Sequence, residues 1–278
     1  MGDRAILEST INRFRQTFSN PKIVVLANYP EENYFKSEKL IVEPSPWVIV
    51  GKSGNRSIFF QLSKFLAGLI WTILASIFFS IDTKIPSFIP GQWKELFQQY
   101  LEADIVIGSG GNQFYSTGKF GWPFPLNAMS LWLAHVFKKP FYTMPQSLGP
   151  FKRKWERHLI VSLYSKNRIN YLRDKKSIKL AHEIGLKHFS YAPDLAFFPY
   201  KSDSKEALSI LSEQGLKKDN HHIGMTIIAP MGLALDKEKV NEYYKILALT
   251  IEKMIENFGC DVYIFRQVSG PTELENDG

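Results

Sequence analysis

Short apolar runs rich in valine and isoleucine alternate with stretches of helical periodicity along this chain, and no other feature limits its fold as tightly. The runs are KIVVLAN at 22–28, PWVIVG at 46–51, DIVIGSGG from Asp104, PFYTMP from Pro140 and NRINYLRD from Asn167. Helical patterns fill 93–100, 126–137, 155–164 and 175–183. A further amphipathic helix opens the chain, with Ile6, Leu7, Ile11, Phe14 and Phe18 at helical spacing and Asn20-Pro21 to end it. Apolar strands separated by helices predict an α/β fold, with a parallel sheet covered on both faces. Sheets of that kind bind ligands at the carboxyl ends of their strands.

The alternation is interrupted in the polar stretch 199–222 and then restarts. HHIGMTIIAP reads as a strand. A long helix follows with Tyr243, Leu247, Ile251, Met254, Ile255 and Phe258 on one face, and then the strand DVYIFRQ. The predicted organisation is an N-terminal α/β domain over 1–200 and the opening of a second over 220–278. A helix begins the first domain where a strand is expected, and no helix follows the last strand to cover it. The expectation is therefore a first domain lacking its first strand and an incomplete second one.

The run FLAGLIWTILASIFFSI opens at Phe65, closes at Ile81 and carries no charge. As a helix it reaches about 26 Å, slightly short of the ~30 Å hydrocarbon core of a bilayer. The strands on either side belong in one sheet, which argues against a crossing between them. The reading is an apolar helical insertion lying in a membrane interface or against a partner, with a true span as the competing possibility. The flanking IPSFIPGQW suits an interfacial position.

Composition excludes several classes. The single cysteine, Cys260, allows neither an internal disulfide nor a CxxC zinc site and fits a reducing, cytoplasmic setting. MGDRAILEST is no secretory signal. No histidine has metal-ligand spacing, so no metal is expected, and nucleic-acid, Walker, GxGxxG and GxSxG patterns are absent. The net charge of +7 is uneven: residues 138–187 hold 13 Lys and Arg against Glu156, Asp174 and Glu183. Such a concentration attracts anions, unless it is only a solvated basic face.

Four segments carry polar groups where such a sheet would present them. Ser109-Gly110-Gly111-Asn112 follows an apolar strand and opens a long loop with Gln113, Tyr115, Lys119 and Trp122. Glycines there let a backbone approach a ligand, although a plain strand–helix turn reads the same way. MPQSLGPF presents Gln146 and Ser147 before a Gly149-Pro150 turn. YLRDKKS ends a strand at Arg173, suited to clamping a carboxylate or phosphate, with Asp174 as a helix cap; a structural Arg–Asp pair is the competing reading. YAPDLAF places Asp194 in a tight turn.

Taken in order, G-D-x-A-I-L, D-x-V-I-G-x-G-G, Q-S-x-G-P-F, R-D-x-x-S, A-P-D-x-A-F and Q-x-x-G-P-T, from Gly2 to Thr272, resemble the polysaccharide pyruvyl transferase family. The resemblance implies two Rossmann-like domains in the twin-domain glycosyltransferase architecture, with the active site in the cleft between them. It implies transfer of pyruvate from phosphoenolpyruvate, a co-substrate with no further cofactor, onto a saccharide or lipid-linked saccharide as a ketal, with release of phosphate. It assigns Arg173 and Asp194 to catalysis and Asp3, Gly110, Gly111, Asn112, Gln146 and Ser147 to substrate binding. A cytoplasmic enzyme, peripheral at the inner face of the cell membrane through residues 65–81, is the matching location. The family's Arg-x-His motif does not follow Pro271, so the expectation includes an inactive fragment. The competing functions are a sugar-nucleotide glycosyltransferase and a membrane-docked, non-catalytic binding module.

Overall fold

Five parallel strands order the larger part of the protein. A computed structural model describes residues 2–28, 40–50, 58–81, 85–116, 123–198, 203–213, 215, 221–227 and 237–266. Lys119, Trp122 and the closing Q-x-x-G-P-T motif lie outside them. The chain divides into two compact units, residues 5–199 and residues 1–4 with 200–278.

Helix α1 (Gly2–Thr17), which belongs to the first unit from Ala5 onward, leads to β1 (Val24–Ala27), which pairs in parallel with β2 (Ile41–Pro44). Helices α2 (Pro46–Val50), α3 (Ile58–Ile81) and α4 (Gly91–Glu102) follow. The main sheet then forms from β3 (Val106–Gly108), β4 (Gly111–Phe114), β5 (Phe141–Leu148), β6 (Ile169–Leu172) and β7 (Ser190–Tyr191), all parallel. Between them run α5 (Pro123–Val136), α6 (Lys154–Tyr164) and α7 (Lys175–Glu183). β3 pairs with the start of β5 and β4 with its end, so the two are halves of one strand interrupted at Ser109-Gly110. This is the α/β fold with parallel sheets that the strand–helix alternation predicts.

PWVIVG is the exception. Its apolar run is helix α2, and the strand is the preceding IVEP of β2. Pro46 lacks an N–H and its fixed φ suits the first helical position. Ser45 precedes it, and its carbonyl accepts from Val48 and Ile49 at 3.0 and 3.2 Å. A four-residue apolar run has no periodicity of its own, so the Ser-Pro start signal decides.

The core lies between the sheet and α4, α5 and α6. Phe97 packs at a tilt on Phe137 at 5.5 Å, and Phe114 meets Tyr164 edge-on at 5.7 Å and Phe124 at 6.1 Å. Each fully buried aromatic contributes about 1.5–3 kcal/mol by removal from water. Asn170 of β6 ties the sheet to its turns. Its amide donates to the carbonyls of Tyr164 at 3.0 Å and His188 at 2.7 Å, and its oxygen accepts from Asn167 at 2.7 Å.

The second unit contains α8 (Ser204–Glu213), β8 (His221–Ile227), α9 (Lys237–Phe258) and β9 (Cys260–Arg266). β8 and β9 are parallel from His221↔Cys260 to Ile227↔Arg266, joined through α9 as a βαβ unit. Among the described residues no helix is long and apolar enough to cross a membrane.

Candidate active site

Parallel pairing brings the ends of β4, β5 and β6 to one edge of the main sheet. Gln146 pairs with Gly111 on one side and Leu172 on the other, and the Arg173 N–H donates to the Gln146 carbonyl at 3.1 Å. The glycine-bearing break and Arg173 are therefore two strand spacings apart, roughly 10 Å, with Ser147 between them.

β5 runs three residues further than PFYTMP suggests, because β4 and β6 both continue its ladder. The extension sets which side chains reach the site, since successive residues of a strand point to opposite faces. Gln146 is only 1% exposed and donates through Nε2 to the Tyr164 hydroxyl, while its Oε1 has no partner among the described residues. Its side chain belongs to the core, not to the surface that Ser147 shares with Arg173.

Ser147 is held from two sides. Its Oγ accepts from Arg173 Nε at 2.9 Å and donates to Asp174 Oδ2 at 2.7 Å. Asp174 caps α7 by accepting from the Ser177 N–H and hydroxyl, both at 2.8 Å, and the Ser177 hydroxyl accepts from the Leu148 N–H at 2.7 Å. Burial pushes the Asp174 carboxyl up. The Ser177 and Ser147 hydrogen bonds and the Arg173 charge outweigh it and hold the group below the usual carboxylate value.

Asp194 approaches from beyond β7. It accepts from the Ala196 N–H at 2.9 Å to start a 3-10 turn over Leu195–Phe197, and it pairs with Arg173 Nη1 through Oδ2. The two side chains are 22% and 21% exposed, so the pair borders solvent. Arg173 is thus a structural pair with Asp194 and an accessible cation at once, since Nη2 has no partner among the described residues.

Gly110 and Gly111 sit differently from a loop open to ligand. A Cβ at Gly110 would stand 2.6 Å from the Pro145 carbonyl oxygen and 3.1 Å from Ile6 Cγ2, so this glycine lets β5 and α1 close against the break. Gly111 has φ +108°, in the region that glycine tolerates. Asn112 is exposed on β4. Asp3 is exposed in the first turn of α1, in the stretch 1–4 that belongs with the second unit.

Sequence reasoning passed over a second buried carboxylate. Glu156, 0% exposed in the first turn of α6, accepts from the Ser116 hydroxyl and from Arg153 through its N–H at 3.1 Å and Nη1 at 2.7 Å. Burial raises its pKa, but these hydrogen bonds and the Arg153 charge bring it below the usual value. The signal lay in the first turn itself, where an acid favours the helix N-terminus.

Only part of the basic segment is at this edge, where Arg153 and Lys154 follow β5 and Lys175 and Lys176 follow β6. Lys138, Lys139, Lys166 and Arg168 line a cavity of about 450 Å³ with His135 and His188, where β5 and β6 begin, at the opposite edge of the sheet. They follow the C-termini of α5 and α6, where cations offset the carbonyl ends of the helices. Lys139 donates to the Leu101 carbonyl of α4 at 2.8 Å in that role.

A family model for polysaccharide pyruvyl transferases matches residues 1–274. The chain belongs to the polysaccharide pyruvyl transferase family. No curated protein and no solved structure matches it. Membership makes this protein a transferase of polysaccharide biosynthesis, with a saccharide as acceptor. In this pyruvyl transferase family member, R-D-x-x-S and Q-S-x-G-P-F are one hydrogen-bonded unit, because Arg173, Asp174 and Ser177 all bond to β5 or to its Ser147.

Proposed function

We propose that the protein transfers pyruvate from phosphoenolpyruvate to two hydroxyls of a saccharide, and that Arg173 grips the donor. The observation that carries the reading is the guanidinium itself. It is oriented by Ser147 and Asp194, borders solvent at the carboxyl edge of the sheet, and keeps Nη2 unused among the described residues. A planar donor fork suits a small molecule that carries a carboxylate and a phosphate together.

In this reading the methylene carbon of phosphoenolpyruvate takes a proton, which leaves an oxocarbenium-like C2. One sugar hydroxyl forms a C–O bond there. Phosphate then leaves with its bridging oxygen, and a second hydroxyl closes the ketal. The balance holds, since one hydroxyl proton ends on the new methyl group and the other on phosphate. Ser147, Gly111 and Asn112 border the same edge and are assigned to substrate binding. Asp194 is assigned to catalysis, holding Arg173 in place and offering a carboxylate to the attacking hydroxyl. Gln146 is reassigned from substrate contact to support of the β5 edge, and Gly110 to packing. Asp3 is kept as a substrate-binding residue from the resemblance alone.

The same reading takes both units as Rossmann-like domains and places the reaction on the cytoplasmic side, where phosphoenolpyruvate is available, with the protein peripheral at the membrane. Calorimetric titration of the chain with phosphoenolpyruvate tests the donor assignment. Heat that weakens about tenfold in Arg173→Lys is expected, because a lysine cannot reproduce the fork. Heat with a sugar nucleotide and none with phosphoenolpyruvate would transfer the chain to the glycosyltransferase reading.

A further inference from the structure

The Ser147 hydroxyl stands between a group that can only donate and a group that can only accept. Arg173 Nε reaches it at 2.9 Å and Asp174 Oδ2 at 2.7 Å. A serine hydroxyl has one hydrogen and two lone pairs, so the arrangement has a single polarity. The hydrogen goes to Asp174, and a lone pair is turned to Arg173. Burial raises the Asp174 pKa, but the Ser177 and Ser147 hydrogen bonds and the Arg173 charge hold it below the usual carboxylate value. The carboxyl is therefore ionised at neutral pH and cannot reverse the polarity.

The carboxylate is itself fixed. Oδ1 accepts from the Ser177 N–H and Oδ2 from the Ser177 hydroxyl, both at 2.8 Å. That hydroxyl accepts from the Leu148 N–H at 2.7 Å, and the Arg173 N–H donates to the Gln146 carbonyl at 3.1 Å. Residues 146 to 148 of β5 are in this way all bonded to residues 173 to 177.

We propose that Asp174 is a positioning residue for phosphoenolpyruvate: by taking the Ser147 hydrogen it turns a lone pair to Arg173 Nε and so fixes the guanidinium plane that grips the ligand. The proposal rests on the assignment of phosphoenolpyruvate to Arg173 made above. Ser147 at Nε and Asp194 at Nη1 anchor the guanidinium at two corners. Two anchors define a rigid planar group where one leaves it free to pivot.

Helix capping alone does not account for the link to Ser147, because a cap needs only the oxygen that accepts from the Ser177 N–H. Charge gives the two accounts opposite signs. A carboxylate beside the guanidinium repels an anionic ligand, so its removal would tighten binding if charge were all that mattered. If Asp174 positions Arg173 through Ser147, its removal weakens binding.

Calorimetric titration of the full chain with phosphoenolpyruvate reads that sign, with thermal melts and far-UV circular dichroism to follow folding. Asp174→Ser keeps a capping hydroxyl but is too short to reach Ser147. It is expected to weaken binding about fivefold or more with unchanged dichroism, since the guanidinium is no longer preorganised. The double variant with Ser147→Ala is expected to bind like Ser147→Ala alone, within about twofold, because Asp174 acts through the hydroxyl already removed. A cap with no further role would lower the melting temperature and leave the affinity of the folded chain unchanged. Equal or tighter binding by Asp174→Ser overturns the proposal, and so do losses that multiply in the double variant. Asp174→Thr, also a helix cap, takes the place of Asp174→Ser if that variant does not fold, with the same outcomes. A wild type that binds no phosphoenolpyruvate overturns the assignment of that ligand and this role together. A wild type that binds it no better than Asp174→Ser does overturns this role alone.

Discussion

Ser147 Oγ accepts a hydrogen bond from Arg173 Nε at 2.9 Å, so a hydroxyl at the end of β5 aims the guanidinium at the end of β6. The strand neighbours Gln146 and Ser147 therefore divide their roles, one in the core and one at the site.

Ser147→Ala is expected to weaken phosphoenolpyruvate binding about tenfold and to lower stability by about 1.5–3 kcal/mol, the range for a hydrogen bond to a charged group. Gln146→Met is expected to change the melting temperature and leave the dissociation constant alone. Calorimetric titration and a thermal melt of the two variants decide between this division and a shared role in binding.

Gly110→Ala is expected to destabilise the protein by about 1–3 kcal/mol in urea unfolding. The added methyl meets the Pro145 carbonyl oxygen at 2.6 Å, and backbone cannot swing aside as a side chain would.

Asn170→Leu is expected to cost more, at least about 3 kcal/mol by the same measurement. It removes the amide that donates to the Tyr164 and His188 carbonyls and the oxygen that accepts from the buried Asn167 side chain.

Acid is expected to unfold the protein partly through Glu156 and Asp174. Both carboxyls are held below their ordinary values in the fold, so the unfolded chain takes up protons first as pH falls. Their contribution is complete above the unfolded value near pH 4 and disappears as pH drops through the lowered folded values. Glu156→Gln is expected to flatten the slope of stability against pH below about pH 4, as read from urea midpoints across that range.

Some elements were legible because their determinants are local. Helix α7 runs from Lys175 to Glu183 as its periodicity and the Asp174 cap indicate. The α/β class follows from strand-like runs separated by helical ones. PWVIVG misleads because a short apolar run fits either state, and the deciding signal is the Ser45-Pro46 step before it. At the site, Arg173 at a strand end is a sequence-level reading that the sheet retains. The side of β5 taken by Gln146 depends on how far neighbouring strands extend the ladder, which no window of sequence contains.

By itself the sequence determined the alternating elements, the caps, the excess of cations and the ordered motifs of the family, since each rests on neighbours within a few residues. Tertiary structure alone decided that Arg173, Ser147 and Asp194 meet, that Lys138, Lys139 and Lys166 gather at the far edge, and that half of α3 is left uncovered. Those outcomes depend on strand pairing and on which face packs inward, and both are settled by contacts between residues distant in the chain.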